Sequence, residues 1–212
     1  MQLMTIQNKQ LIVFVKAPLA GLCKTRLIPF LGEKATTEFY KSLVLDCFDK
    51  LKNLNNISTQ IHAYPDIKHS FLKQLYFDNR AQLFKQKGEN LGERMFHAIE
   101  QSLKTCSSVV LIGTDCPEID ASYIESAFNA LDQHDIVFGP AADGGYVLIG
   151  AKTIDPVIFS NITWSTNTVL EQSLKQAKAA GYKVKLLQTL NDIDTPEDYK
   201  QYQISINQHK QS

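Results

Sequence analysis

The chain has 212 residues, 44% hydrophobic and 21% charged, the balance of a soluble globular protein with a sizeable core. Lys plus Arg equals Asp plus Glu at 22 each, so no net field favours nucleic acid or an anionic membrane, and any cationic site has to be local. Cys23, Cys47, Cys106 and Cys116 form no CxxC pair and no zinc spacing, and read as reduced thiols of a cytoplasmic protein. The N-terminal stretch MQLMTIQNKQ lacks a signal-peptide apolar region, and no apolar run approaches membrane-spanning length. The length suits one domain, taken as residues 1–212.

Residues 11–15 are a short apolar run that reads as a buried first strand. It ends at Lys16, and a turn-prone loop follows with Pro18, Gly21, Lys24, Thr25 and Arg26. Gly32 and Glu33 open a long amphipathic helix carrying Tyr40, Leu43, Val44, Cys47, Phe48, Leu51 and Leu54, stopped by Asn53, Asn55 and Asn56. Residues 57–64 alternate as a strand, and a short helix is expected to begin near Pro65. A short strand at 81–85 and the turn QKGEN precede a second amphipathic helix with Leu91, Met95, Ile99 and Leu103. Residues 107–113 are a second buried strand. A helix at 120–131 with Asp120 as N-cap follows.

Strands at 135–139 and 146–149 flank GPAADGGYVLIG. Residues 161–180 hold a turn with Trp164 and then a helix, closed by Gly181. A strand at 182–187, the segment NDIDTPEDY, a final helix and a frayed polar tail NQHKQS complete the chain. Strands alternate with helices throughout, which predicts a three-layer α/β/α fold around a mostly parallel sheet.

Ligands of such sheets sit beyond the carboxyl ends of the strands. Lys16, Lys24 and Arg26 lie there within eleven residues and form a candidate polyphosphate clamp, Lys as a mobile charge and Arg as a bidentate fork. The loop has one glycine and is not a Walker A motif. Asp115, at the end of VVLIGTD, is presented as an oxygen ligand of the kind that binds Mg²⁺. Asp192 and Asp194 flank Ile193 just before TPED, whose Thr195, Pro196 and Asp198 are helix-start chemistry. On an extended segment the two acids point the same way and can complete a metal site with Asp115. Asp143, before Gly144 and Gly145, is a further candidate, with a plain turn as its alternative reading. Arg94 reaches toward a ligand from a helix start, and Trp164 either stacks on a ring or belongs to the core.

VKAPLAGLCKTRL, GENLGERM, IGTDCPEI, GPAADGGYVLIG and DIDTPEDY together resemble bacterial glycosyltransferases of the arsenosugar-biosynthesis type, within the nucleotide-diphospho-sugar transferase superfamily. The resemblance covers about residues 10–203. It implies a GT-A, Rossmann-like fold and a divalent ion, Mg²⁺ or Mn²⁺, with Asp115 and Asp194 as its ligands, to which the spacing about Ile193 adds Asp192 as a candidate. The residues themselves give Lys16, Pro18, Gly21, Lys24, Arg26, Arg94 and Thr114 as the candidate nucleotide- and phosphate-binding set, and Asp143, Arg26 and Lys24 as the candidate catalytic set. Glycosyl transfer from a nucleotide sugar to a small-molecule acceptor is the first expectation, with a homodimer admitted and neither nucleic acid nor membrane as partner. The cationic loop also looks like that of phospholactate guanylyltransferases. The alternative is therefore nucleotidyl transfer from an NTP to a phosphorylated small molecule, with pyrophosphate released. A non-catalytic nucleotide-binding protein is a minor alternative.

Overall fold

The computed structural model describes residues 9–79 and 81–209. The expectations about residues 1–8 and 210–212 lie outside them. Seven strands, β1 (Lys9–Lys16), β2 (Ile57–Tyr64), β3 (Gln82–Lys85), β4 (Ser108–Ile112), β5 (Ile136–Pro140), β6 (Tyr146–Ala151) and β7 (Val184–Leu186), form one sheet in the order β3-β2-β1-β4-β6-β5-β7. All neighbouring pairs are parallel except those of β6, which runs antiparallel to β4 and β5. This is the expected three-layer α/β fold.

The central strands are buried on both faces, as their unbroken apolar runs require. Leu11, Val13, Val15, Val110 and Ile112 pack on one face with Tyr40, Val44 and Phe48 of α2 (Glu33–Leu51), Leu72 and Leu75 of α3 (Ser70–Asn79), and Ile124 and Phe128 of α5 (Ala121–Leu131). Ile12, Val109, Leu111, Ile136 and Phe138 pack on the other with Met95 and Ile99 of α4 (Leu91–Leu103) and Ala177 of α6 (Val169–Ala179). A four-residue helix, α1 (Ile28–Leu31), precedes α2, and α7 (Pro196–His209) ends the described chain. Phe39 of α2 meets Tyr199 of α7 edge to face at 4.8 Å.

Two helix boundaries differ most from expectation. α3 begins at Ser70 rather than near Pro65, and the Asp66 side chain accepts the Lys68 amide at 2.7 Å in an intervening turn. The last helix continues to His209, through the first part of the tail expected to fray. Among the described residues, no helix is long and apolar enough to cross a membrane.

β1 is the strand at which the chain changes direction across the sheet: β2 and β3 lie on one side of it, β4 and the rest on the other. The crevice of a doubly wound sheet opens at such a point. Its floor is pinned by Tyr40, whose hydroxyl accepts from the Lys16 amide at 2.8 Å and donates to the Lys16 carbonyl at 3.1 Å. Tyr40→Phe leaves both backbone groups without this partner and is expected to cost about 1–3 kcal/mol. A drop in the urea midpoint at unchanged slope measures it; an unchanged midpoint contradicts this role.

Candidate active site

A cavity of about 300 Å³ opens at the carboxyl ends of β1 and β4. Phe14, Tyr64, Gln86, Leu91 and Met95 line one side, Leu111, Tyr146 and Val147 another, and Lys16, Thr114, Asp115, Asp143 and Asp192 bring polar groups to it.

The acids arrive from three segments that backbone hydrogen bonds hold together. Residues 190–193 run between the ends of β4 and β5: the Leu190 amide donates to Pro140 O, the Ala142 amide to Leu190 O and the Ile193 amide to Asp115 O, each at 3.0 Å. Asn191 Nδ2 donates to Glu118 Oε1 at 2.8 Å. Ile193 is buried. Asp192 lines the cavity, whereas Asp194 accepts from Arg26 Nη1 at 2.6 Å. Beyond Asp194, Thr195 and Asp198 cap α7 reciprocally: Asp198 Oδ2 accepts from the Thr195 amide at 2.7 Å, and the Asp198 amide donates to Thr195 Oγ1 at 3.3 Å.

The loop after β1 is compact. Gly21 has φ +78°, and Lys24 itself takes the left-handed conformation at φ 50°, ψ 45°, rare for a residue with a side chain. Its side chain is 3% exposed, and Nζ lies 3.2 Å from Asp115 Oδ1. Among the described residues, no hydrogen bond of good geometry reaches this ammonium. Both cations of the loop's end are thus set against carboxylates. Pro18, Gly21, Lys24 and Arg26 lie outside the lining of the cavity, Lys16 and Thr114 within it.

Arg94 also lines the cavity, and two of its five N–H donors are engaged. Nε donates to Gly88 O at 3.0 Å and Nη2 to Glu89 O at 3.1 Å, and the guanidinium lies 3.9 Å from the centre of the Tyr64 ring. Asn90 and Glu93 cap α4 beneath it. Trp164 is half-buried against the core and lies outside the cavity lining; a Cβ on Gly92 would come within 2.5 Å of its Cζ2. Asp143 Oδ1 accepts the Gly145 amide at 2.8 Å, the turn that was its alternative reading, and the carboxylate still borders the cavity. The residues that sequence reasoning missed are Tyr40, Tyr64 and Gln86. Their spacing is that of ordinary strand and helix positions and carries no signal of a site.

Burial, reinforced by Asp143 and then Asp115 and opposed by Lys24, pushes the Asp192 carboxyl up to about 6. Burial pushes the Cys47 and Cys116 thiols up to about 12, which leaves neither as a ready nucleophile. Among the described residues, no group of three or more His, Cys, Asp or Glu side chains is placed to hold a metal. The expected set of Asp115, Asp192 and Asp194 is therefore divided, with Asp194 drawn to Arg26. Asp115 and Asp192 remain at one cavity as hard oxygen donors. That fits Mg²⁺, which uses one or two carboxylates together with substrate phosphates.

The fold and this crevice define an α/β protein of the nucleotide-diphospho-sugar transferase type. The chain belongs to the family described as "Uncharacterized protein conserved in bacteria (DUF2064)", whose model matches residues 47–166. A protein of Desulfovibrio desulfuricans G20, provisionally named a nucleotide-diphospho-sugar transferase, superimposes with a TM-score of 0.80 at 30% identity, covering 88% of this chain and 82% of that one. The 2-phospho-L-lactate guanylyltransferase of Methanocaldococcus vulcanius is 25% identical over 89% of this chain and 81% of its own length. That of Methanobrevibacter smithii is 27% identical over 58% of this chain, a match that spans about half, 53%, of the relative. The arsenosugar assignment finds no support among these relatives.

The raised carboxyl has a measurable consequence. Between about pH 4 and 6 folded Asp192 keeps a proton that the unfolded chain has released, so its contribution to stability falls as pH rises through that window. His62, which burial pulls down to about 4, acts in the opposite sense and cancels when a variant is compared with the parent. In EDTA, Asp192→Asn is expected to melt with the parent at pH 4 and above it at pH 8. Equal melting points at pH 8 contradict this placement of charge.

Proposed function

We propose that the protein is a nucleotidyltransferase, which couples an NTP to a phosphorylated small molecule and releases pyrophosphate. The observation that carries the reading is the buried Lys24 ammonium, which has three donors, one ion-pair partner at 3.2 Å and no well-aligned acceptor. Buried donors ordinarily have acceptors; in this reading the Lys24 side chain, outside the cavity lining here, turns from Asp115 to the mouth of β1, where a polyphosphate supplies them. The guanylyltransferase relatives support the same reaction over the glycosyl transfer first expected from the sequence.

In this reading the nucleoside lies between β1, β2 and α4. The triphosphate crosses the carboxyl end of β1, and the acceptor enters beside β6 and Asp143. Lys16, Lys24 and Arg26 hold the β- and γ-phosphates and stabilise the charge that develops on the departing pyrophosphate. Thr114 lies under the phosphates. Arg94 keeps residues 88 and 89 in shape rather than gripping phosphate. An oxygen of the acceptor phosphate attacks the α-phosphorus in line, and the bond to the bridging oxygen of pyrophosphate breaks. That nucleophile is already an anion near neutral pH, so no general base is required, and Asp143 serves to hold the turn and border the acceptor. Asp115 and Asp192 would hold Mg²⁺ or Mn²⁺. Such an ion would supply neutralisation of the phosphate charge. Asp194 holds Arg26 until phosphate competes for it.

Incubation with each NTP, Mg²⁺ and a panel of phosphorylated hydroxy acids should release pyrophosphate. Release of a nucleoside diphosphate from nucleotide sugars, with NTPs inert, would instead restore glycosyl transfer. Nucleotide affinity should fall about tenfold or more in Lys24→Gln and in Arg26→Ala, each of which removes a charge-assisted bond. Isothermal titration of each variant provides the check, and affinities equal to the parent's would show that the loop does not hold phosphate.

A further inference from the structure

Gln86 follows β3 and is 8% exposed, yet it lines the cavity beside Phe14, Tyr64, Leu91 and Met95. Its backbone amide donates to Ala63 O at 2.9 Å. Its side-chain Nε2 donates to His62 O, also at 2.9 Å and buried. A carbonyl can only accept, so Nε2 must face His62, and Oε1 is the free end of the amide. Among the described residues, no donor reaches Oε1.

The parts around this oxygen are held firmly. The His62 ring lies between Phe14, at 6.0 Å, and Phe84, at 5.1 Å, with Nε2 3.0 Å from Gln60 Oε1. Across the cavity wall the Arg94 guanidinium covers Tyr64, itself tied to the carbonyls of Gly88 and Glu89. Those two carbonyls each already accept one hydrogen bond. An unpaired acceptor on a largely apolar wall discriminates strongly, because a ligand without a matching donor leaves it desolvated and unsatisfied.

Resting on the nucleotide reading above, we propose that Gln86 reads the base, its Oε1 accepting a hydrogen bond from an exocyclic amino group. That amine projects beyond the ring and is the part of a base edge that meets such a wall. Guanine, cytosine and adenine carry one. Uracil places a carbonyl there and hypoxanthine a hydrogen, so neither makes this bond.

The test is calorimetric titration of the full chain with GTP, ITP, CTP and UTP in Mg²⁺, for the parent, Gln86→Met and Gln86→Asn. The parent should bind GTP over ITP, or CTP over UTP, by about tenfold. Gln86→Met should still bind nucleotide, with that ratio reduced to within about twofold. Where its melting curve shows that Gln86→Met has not folded, Gln86→Asn decides, since it keeps the amide but withdraws it by one methylene. A parent that binds NTPs without this discrimination, or a ratio that persists in the folded variant, overturns the role of Gln86 and leaves the nucleotide reading intact. A parent that binds no NTP overturns both.

Discussion

The hydrogen bond from the Ile193 amide to the Asp115 carbonyl is the contact on which the site depends. It fastens the end of β4 to a segment far along the chain. The paired bonds of Leu190 with Pro140 and Ala142 fasten that same segment to the end of β5. Asp115, Asp143 and Asp192 repel one another, and left to themselves they would separate. The repulsion is opposed by backbone bonds, by the burial of Ile193 and by Lys24 beside Asp115. The raised Asp192 carboxyl is the mark of that compromise.

The cationic side is built in the opposite way. Lys24 occupies a strained backbone region and buries its ammonium beside Asp115. Arg26, 61% exposed in its side chain, meets Asp194 at the surface. A surface pair of that kind contributes little to stability, so its dissociation in favour of a more highly charged partner is cheap. The buried pair is different, since a lone charge in Lys24's position would be costly. In the proposed reaction, phosphate would draw Lys24 from Asp115 and leave that carboxylate to a metal, so that binding the one would favour binding the other.

Alternation of short apolar runs with amphipathic helices was enough to read the layers, nearly all the strands and the helix caps at Asp120 and Thr195. Those features follow from local periodicity and from side chains that bond their own backbone a few residues away. The start of α3 was misread because Pro65 suits a helix start as well as a turn, and nothing local distinguishes them. Lys16, Asp115 and Asp143 were recognisable as candidates because chemistry-bearing residues stood at strand ends.

What each candidate does was decided only by tertiary structure. Asp192 and Asp194 share a motif, yet one faces the cavity and the other meets Arg26. Arg94 reads as a free ligand-binding cation, whereas the carbonyls of Gly88 and Glu89 take two of its donors. Gln86 carries no signal in the chain at all, since its free oxygen exists only because His62 O, on the neighbouring strand, takes its nitrogen. The sequence by itself determined which segments become strands and helices, because periodicity and capping act within a few residues. Partnership between residues distant in the chain determined the site, because hydrogen bonds and charges are apportioned only when the sheet brings its strand ends together.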